Sequence, residues 1–165
     1  MSAQETKRVE GQVLSPGEAR ALADRVLAMS RADETRVNIT SEWSGNTRFA
    51  DASITTSGDV TDSSVTVTAT IGRRRASATT NVLSDDSLKQ TVELAARLAR
   101  LSPEDPELMP ELGPQTHAAV PAFVEGTAAV RAEARADAVA RAAAAAQAAG
   151  KAAGDLFVAG FLAVN

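Results

Sequence analysis

The sequence contains no cysteine, no tyrosine and a single histidine, and aromatic residues make up only 3% of its 165 positions. Without cysteine, neither a disulfide nor a thiolate zinc site can form, and this composition fits a reducing compartment. Because aromatic residues are scarce, alanine, valine, leucine and isoleucine must supply most of the core. With 44% hydrophobic residues the chain can bury one sizeable core. We therefore expect a single domain over residues 15–165. The residues before it, 1–14, are expected to form a flexible leader.

The sequence also lacks an excess of basic residues and long apolar runs, which argues against nucleic-acid-binding, secreted and membrane-spanning proteins. The net charge is −4, whereas nucleic-acid binding normally needs a clustered basic surface. No apolar run follows the charged N-terminal residues as it does in a secretory signal, and none reaches the ~18 residues of a membrane span. We therefore expect a cytoplasmic protein whose partners include neither nucleic acid nor a membrane.

Polar and apolar residues alternate through most of the segment from Thr35 to Thr80, which predicts a largely antiparallel sheet. The turn residues Ser44-Gly45-Asn46 predict a hairpin between a strand over 35–43 and a strand over 47–50. A further short strand around Ser53–Thr56 is expected to end at Ser57-Gly58-Asp59. Gly72 marks the tip of a second hairpin, which joins a strand over 64–71 to one over 76–80.

Helical periodicity predicts three helices, over Pro16–Met29, Asp85–Leu101 and Thr127–Ala149. The first two begin after serines that can cap them. Their buried faces are expected to be Ala19, Leu22, Ala23, Val26 and Leu27 in the first helix and Leu88, Val92, Ala95, Leu98 and Ala99 in the second. The third is alanine-rich and is expected to end at Gly150 and Gly154. The fold class is therefore α+β, with helices packed on the sheet.

The apolar segment near Leu156–Val164 closes the sequence and favours a strand. An unpaired apolar strand would be an aggregation hazard. Either it joins the domain's sheet, or a longer protein continues beyond it, and we expect both. Between residues 102 and 121 lie five of the six prolines, which predict an extended surface connection of the kind that is often functional or mobile.

The order of these segments resembles the N-terminal domain of the TldD/PmbA family, once called modulators of DNA gyrase. The segments that carry the resemblance are Asn-Thr-Arg-Phe-Ala-Asp-Ala-Ser-Ile-Thr-Thr-Ser-Gly, Val-Thr-Val-Thr-Ala-Thr-Ile-Gly-Arg-Arg-Arg-Ala-Ser-Ala-Thr-Thr-Asn, Leu-Ser-Asp-Asp-Ser-Leu, Ser-Pro-Glu-Asp-Pro-Glu-Leu-Met-Pro and Ala-Gly-Asp-Leu-Phe-Val-Ala-Gly-Phe. These motifs are structural rather than catalytic, and the resemblance as a whole covers nearly all of the chain from Ser15 onward.

The resemblance implies a zinc metallopeptidase that cuts peptides or unfolded segments inside a dimer of like or unlike subunits. The catalytic members hold zinc with a His-Glu-x-x-x-His helix and a cysteine, all in the portion after this domain. This sequence has one histidine and no such motif, so we expect no catalytic, cofactor-binding or metal-binding residue here and no activity of the chain alone. The implied role is to shape the substrate chamber and the dimer interface. The alternatives are a non-hydrolytic binding or assembly module and a piece of the metal-free partner subunit.

Individual polar residues offer only weak candidates for chemistry. His117 has no acidic residue or second histidine at ligand spacing, which favours an ordinary loop histidine. Arg73, Arg74 and Arg75 could hold a carboxylate, although a charged hairpin tip more often only discourages edge pairing. The acidic residues of the proline-rich segment lack a calcium-loop pattern and are expected to be solvated. Trp43 is expected to be a half-buried strand residue rather than a peptide-stacking surface.

Overall fold

The computed structural model describes residues 13–51, 53–116, 118–154 and 156–164. In chain order the elements are α1 (Pro16–Met29), β1 (Glu34–Ala50), β2 (Ser53–Ile71), β3 (Arg74–Thr80), α2 (Asp85–Leu101), α3 (Glu125–Ala128), α4 (Ala132–Ala153) and β4 (Ala159–Val164). Most of the predicted leader lies outside the described residues, and so does His117. The expectations about both therefore stay predictions.

The four strands form one sheet in the order β3-β2-β1-β4, in which β2 pairs with β3, and β1 with β4, in antiparallel orientation. This arrangement confirms the predicted α+β class with a largely antiparallel sheet. It also confirms that the apolar terminal segment joins the sheet, because β4 pairs with β1 from Gly45↔Val164 to Ala50↔Ala159.

The predicted first hairpin is wrong. Residues 44–46 and 57–59 lie inside the long strands β1 and β2, and the chain turns instead at Asp51, which has a φ of 47°. The odd-numbered face of β1 stays the more buried one from Val37 through Gly45 to Thr47. A turn at residues 44–46 would have broken this alternation. Gly45 therefore does not turn the chain. It lies in the middle of β1, close to Arg135 and Asp59.

The second hairpin is confirmed. β2 ends at Ile71 and β3 begins at Arg74, so that two residues form the turn. Gly72 has a φ of +58°, which glycine adopts at no steric cost. Its N–H also donates a hydrogen bond to Asp33 Oδ2 at 2.7 Å.

The first two helices are confirmed with their predicted bounds. Ser15 and Glu18 form a capping box before α1, with Ser15 N–H donating to Glu18 Oε2 at 2.8 Å. Ser84 caps α2 by accepting from Ser87 N–H. The outer members of the two expected buried faces, Leu27 and Leu98, are instead more than a third exposed, because only a narrow stripe of each helix reaches the core.

The predicted third helix is interrupted. The short helix α3 ends at Ala128, and the extended backbone of Arg131 (ψ 174°) precedes α4. Nothing in Ala-Ala-Val-Arg signals this break, because the residues are neither glycine nor proline. Helix α4 also continues through Gly150, where an added Cβ would lie 3.3 Å from Leu156 Cβ. None of the described helices has the length and apolar character needed to cross a membrane.

The described residues group into two compact units, to which β1 and β2 each contribute a part. One unit contains residues 13–41 and 62–118, and the other contains residues 42–61 and 119–164. In the first unit, α1 packs on α2 and α2 packs on β3. Its aliphatic core comprises Leu22, Val26, Val65, Val67, Ala69, Ala78, Leu88, Val92, Ala95 and Ala99.

Candidate functional site

Strand β4 lies at one end of the sheet order, with β1 as its pairing partner among the described residues. Asp51 N–H donates to Val158 O at 2.9 Å, and the same register continues along β4. Because alternate residues of an antiparallel strand bond to the same neighbour, Ala159, Phe161 and Ala163 direct their N–H and C=O groups away from β1. We call this row of main-chain groups the β4 edge.

Apolar side chains surround the β4 edge. Phe161 is 64% exposed and Phe157 is 73% exposed, and Leu156 is also exposed. Phe49 packs over the backbone of its cross-strand partner Gly160, where an added Cβ would lie only 2.6 Å from the Phe49 ring. Such ring-over-glycine contacts pin strand register.

A shallow cavity of about 690 Å³ adjoins this part of the sheet. Its walls come from three strands and consist of Arg48, Phe49, Ala50, Thr55, Thr56, Ala159, Gly160 and Phe161. Clustered exposed apolar residues of this kind mark interaction surfaces more often than catalytic centres.

A buried arginine organises the interior of the same unit. Arg135, on α4, is 0% exposed and forms an ion pair with Asp59 of β2. Its Nε donates to Thr47 Oγ1 on β1 at 3.3 Å, and its guanidinium carbon lies 5.9 Å from the centre of the Trp43 ring, within cation–π range. The remaining nitrogen, Nη1, has no hydrogen-bond partner among the described residues.

Gly45 makes room for this guanidinium. A Cβ added at Gly45 would lie 2.7 Å from Arg135 Cζ and 3.0 Å from Asp59 Oδ1. The glycine that resembled a turn signal is thus a site of close approach. Sequence reasoning did not single out Arg135. The available signal was its spacing from Val139 and Ala143, which places a charged residue on the buried stripe of α4.

The three arginines after Gly72 do not form a free anion site. Arg73 donates to the carbonyl oxygens of Asp105 and Pro106. Arg74 donates to the carbonyl oxygen of Ser102 at 3.1 Å and forms an ion pair with Glu104 at 3.2 Å. These contacts attach the first part of the proline-rich connection to the hairpin tip. Neither of the two interpretations considered from the sequence describes this role.

Glu111 continues the same attachment. Its carboxylate accepts from Arg36 Nη2, at 2.7 Å to Oε1, and from Arg75 Nη2 at 3.0 Å. The Arg36 hydrogen bond, together with the charges of Arg36 and Arg75, lowers the pKa of Glu111 below its usual value of 4.5. The expectation that the acidic residues of this segment are merely solvated is therefore wrong for Glu111, whereas Glu104 stays largely exposed although it pairs with Arg74.

The described residues contain no group of three His, Asp or Glu side chains that could hold a metal ion. His117 falls outside them. Trp43 is partly buried beside Arg135, in agreement with its prediction as a half-buried strand residue.

Comparison with known proteins gives a family match and several matches to solved structures. Residues 37–99 match the family model for the PmbA/TldA metallopeptidase domain 1. Among the matching structures are TldE from Thermococcus kodakarensis (TM-score 0.70, 13% identity) and candidate modulators of DNA gyrase from Bacteroides thetaiotaomicron (0.64, 12%) and Thermotoga maritima (0.54, 13%). Each match covers 88% of this chain but 32%, 33% and 37% of the other chain, respectively, so this chain spans about a third of their length. No curated protein matches it at a significant level.

The structural matches show that the chain shares the α+β fold of these proteins over most of its length. The match of residues 37–99 to the first domain of this metallopeptidase family, together with the shared fold, confirms the resemblance to the N-terminal domain of the TldD/PmbA family that was found in the sequence.

The role of Gly45 leads to a prediction with a matched control. Replacing Gly45 with alanine should destabilise the protein by about 1–3 kcal/mol, because the enclosed Arg135 cannot move aside without losing its partners. Gly58→Ala should instead stabilise it by about 0.5–1 kcal/mol, because Gly58 is a strand residue with nothing within 4 Å of the added Cβ. Urea unfolding measures both, and equal effects of the two substitutions would contradict the assigned role.

The lowered pKa of Glu111 predicts a pH-dependent stability. The charged form is favoured in the folded state, so its contribution is present above the usual value of 4.5 and is lost as the pH falls through the lower folded-state pKa. Glu111→Gln should therefore be less stable than the wild type at pH 7, and the difference should shrink in acid. Glu107→Gln is the control, because Glu107 makes no ion pair among the described residues. A difference that stays constant down to pH 3 would contradict the assignment.

Proposed function

We propose that this chain is the N-terminal, non-catalytic module of a TldD/PmbA-like zinc metallopeptidase and that it helps to shape the peptide chamber and the dimer interface. The observation that carries the proposal is the family match over residues 37–99, in a chain whose described residues contain no metal-ligand cluster. Peptide hydrolysis by such a protein would depend on zinc ligands supplied by the polypeptide that follows. Zinc there would polarise the attacking water, and no step of that reaction is assigned to residues of this chain.

The β4 edge supports a role in holding peptides or a partner subunit. An extended polypeptide can add to an exposed strand edge through main-chain hydrogen bonds, which makes the contact tolerant of sequence. The N–H and C=O groups of Ala159, Phe161 and Ala163 point to that side. The exposed rings of Phe157 and Phe161 offer apolar surface to the side chains of the added strand. A peptide or unfolded protein is the substrate class that this geometry favours.

The strand-addition step has a sharp test in Ala163. Ala163→Pro removes one N–H from the β4 edge but leaves the groups that bond to β1 in place. Its affinity for fluorescein-labelled, reduced and carboxymethylated α-lactalbumin, measured by anisotropy, should fall several-fold. Ala163→Ser keeps the N–H and should bind as the wild type does. If the wild type does not bind, or if the proline variant binds equally well, the β4 edge is not the peptide-holding element.

The parent protein can be classified by reading its gene beyond Asn165. The proposal predicts a downstream His-Glu-x-x-x-His segment and a later cysteine, and it predicts that the purified 165-residue chain takes up no stoichiometric zinc and cleaves no unfolded peptide. A homologous continuation without the motif would indicate the metal-free partner subunit instead. A stop codon at this point would indicate a stand-alone binding module. Tight zinc uptake that is lost in His117→Ala would contradict the non-catalytic assignment.

A further inference from the structure

A groove of about 630 Å³ lies between the C-terminal end of α1 and one face of α2, wholly within the unit that contains residues 13–41 and 62–118. We call it the α1/α2 groove. Its walls are formed by Ala28, Met29, Arg31, Lys89, Val92, Glu93, Ala96, Arg97 and Arg100. The α2 members recur every three or four residues from Lys89 to Arg100, so they form one continuous face roughly 16 Å long at 1.5 Å per residue.

The rim of the groove is strongly cationic. It carries four basic side chains, Arg31, Lys89, Arg97 and Arg100, and a single acidic one, Glu93. Among the described residues, none of the four basic side chains forms an ion pair. This contrasts with Arg74 and Arg75 of the hairpin, which form ion pairs with Glu104 and Glu111 of the proline-rich segment. In a protein with a net charge of −4, the groove is thus a local concentration of unpaired positive charge.

The floor of the groove is apolar and firmly held. Val92 is buried in the core, and Met29 and Ala96 pack against it. Because the floor belongs to two packed helices, the groove is preformed and the backbone positions that carry the basic side chains have a fixed spacing. Apolar floors and charged rims are the usual anatomy of helix-binding grooves.

We propose that the α1/α2 groove is a docking site for an acidic amphipathic helix of a partner protein. The length of the α2 face matches about three turns of a helix, whose apolar residues would lie on the partly exposed Met29 and Ala96. Glutamates or aspartates beside those residues would pair with the four cations. A nucleic-acid backbone would use the cations but not the apolar floor, which is why the structure favours a helix. The inference does not rest on the proposed function, because the groove and the β4 edge share no residue.

The test uses a fluorescein-labelled synthetic helix with leucines at positions i, i+3, i+4 and i+7 and glutamates on its flanks. It should bind the 165-residue protein saturably, and binding should weaken as salt is raised. Arg97→Glu should lower the affinity about tenfold or more. Arg141→Glu makes the same charge change at an exposed position of α4 and should have no effect. Thermal unfolding confirms that each variant is folded.

A second variant separates a groove from a diffuse basic patch. Ala28 is an exposed member of the groove, so Ala28→Arg adds a favourable charge but obstructs the space. A docking groove predicts weaker binding of the acidic helix, whereas non-specific attraction predicts stronger binding. The proposal is overturned if the helix does not bind, if Arg97→Glu binds like the wild type, or if Ala28→Arg binds more tightly. It is also overturned if a labelled single-stranded oligonucleotide binds at these residues in place of the helix.

Discussion

Burial of the Arg135 guanidinium is the constraint on which the unit of residues 42–61 and 119–164 depends. A charge removed from water is costly unless it is paired, so the surroundings of Arg135 must supply its partners. Thr47 comes from β1 and Asp59 from β2, and the Trp43 ring lies within cation–π range. These contacts fix the position of α4 on the strands, where the small side chains of an alanine-rich helix alone would specify it poorly.

The unit of residues 13–41 and 62–118 is stabilised mainly by apolar packing instead. Its core is an ordinary aliphatic one, built from α1, α2, β2 and β3. Arginines act there at the periphery, where Arg73 and Arg74 hold carbonyl oxygens of the proline-rich connection and Arg75 holds Glu111. A guanidinium has five donors in a fixed fork, so it suits a segment whose backbone has no helix or sheet partners. In a chain with so few aromatic residues, arginines thus stabilise the positions of both helix α4 and the proline-rich connection.

Features with local causes were predictable from the sequence. The capping serines fix the starts of α1 and α2, and Gly72 fixes the second hairpin, because each acts within a few residues of itself. Features that depend on residues far apart in the sequence were not predictable from it. Gly45 resembled a turn because its reason, Arg135, lies 90 positions away and becomes visible only when the chain is folded. The attachment of Glu111 to Arg36, 75 positions away, has the same character.

The β4 edge and the α1/α2 groove differ in what they can recognise. An exposed strand edge offers main-chain groups, which every polypeptide carries, so it cannot by itself select one protein over another. A preformed groove with four unpaired cations reads the charge and amphipathicity of its partner, and it can therefore discriminate. Holding unfolded chains without selection would not require such a groove. If both surfaces operate, the β4 edge would hold polypeptides of many sequences. The α1/α2 groove would select the partner protein that delivers or regulates them.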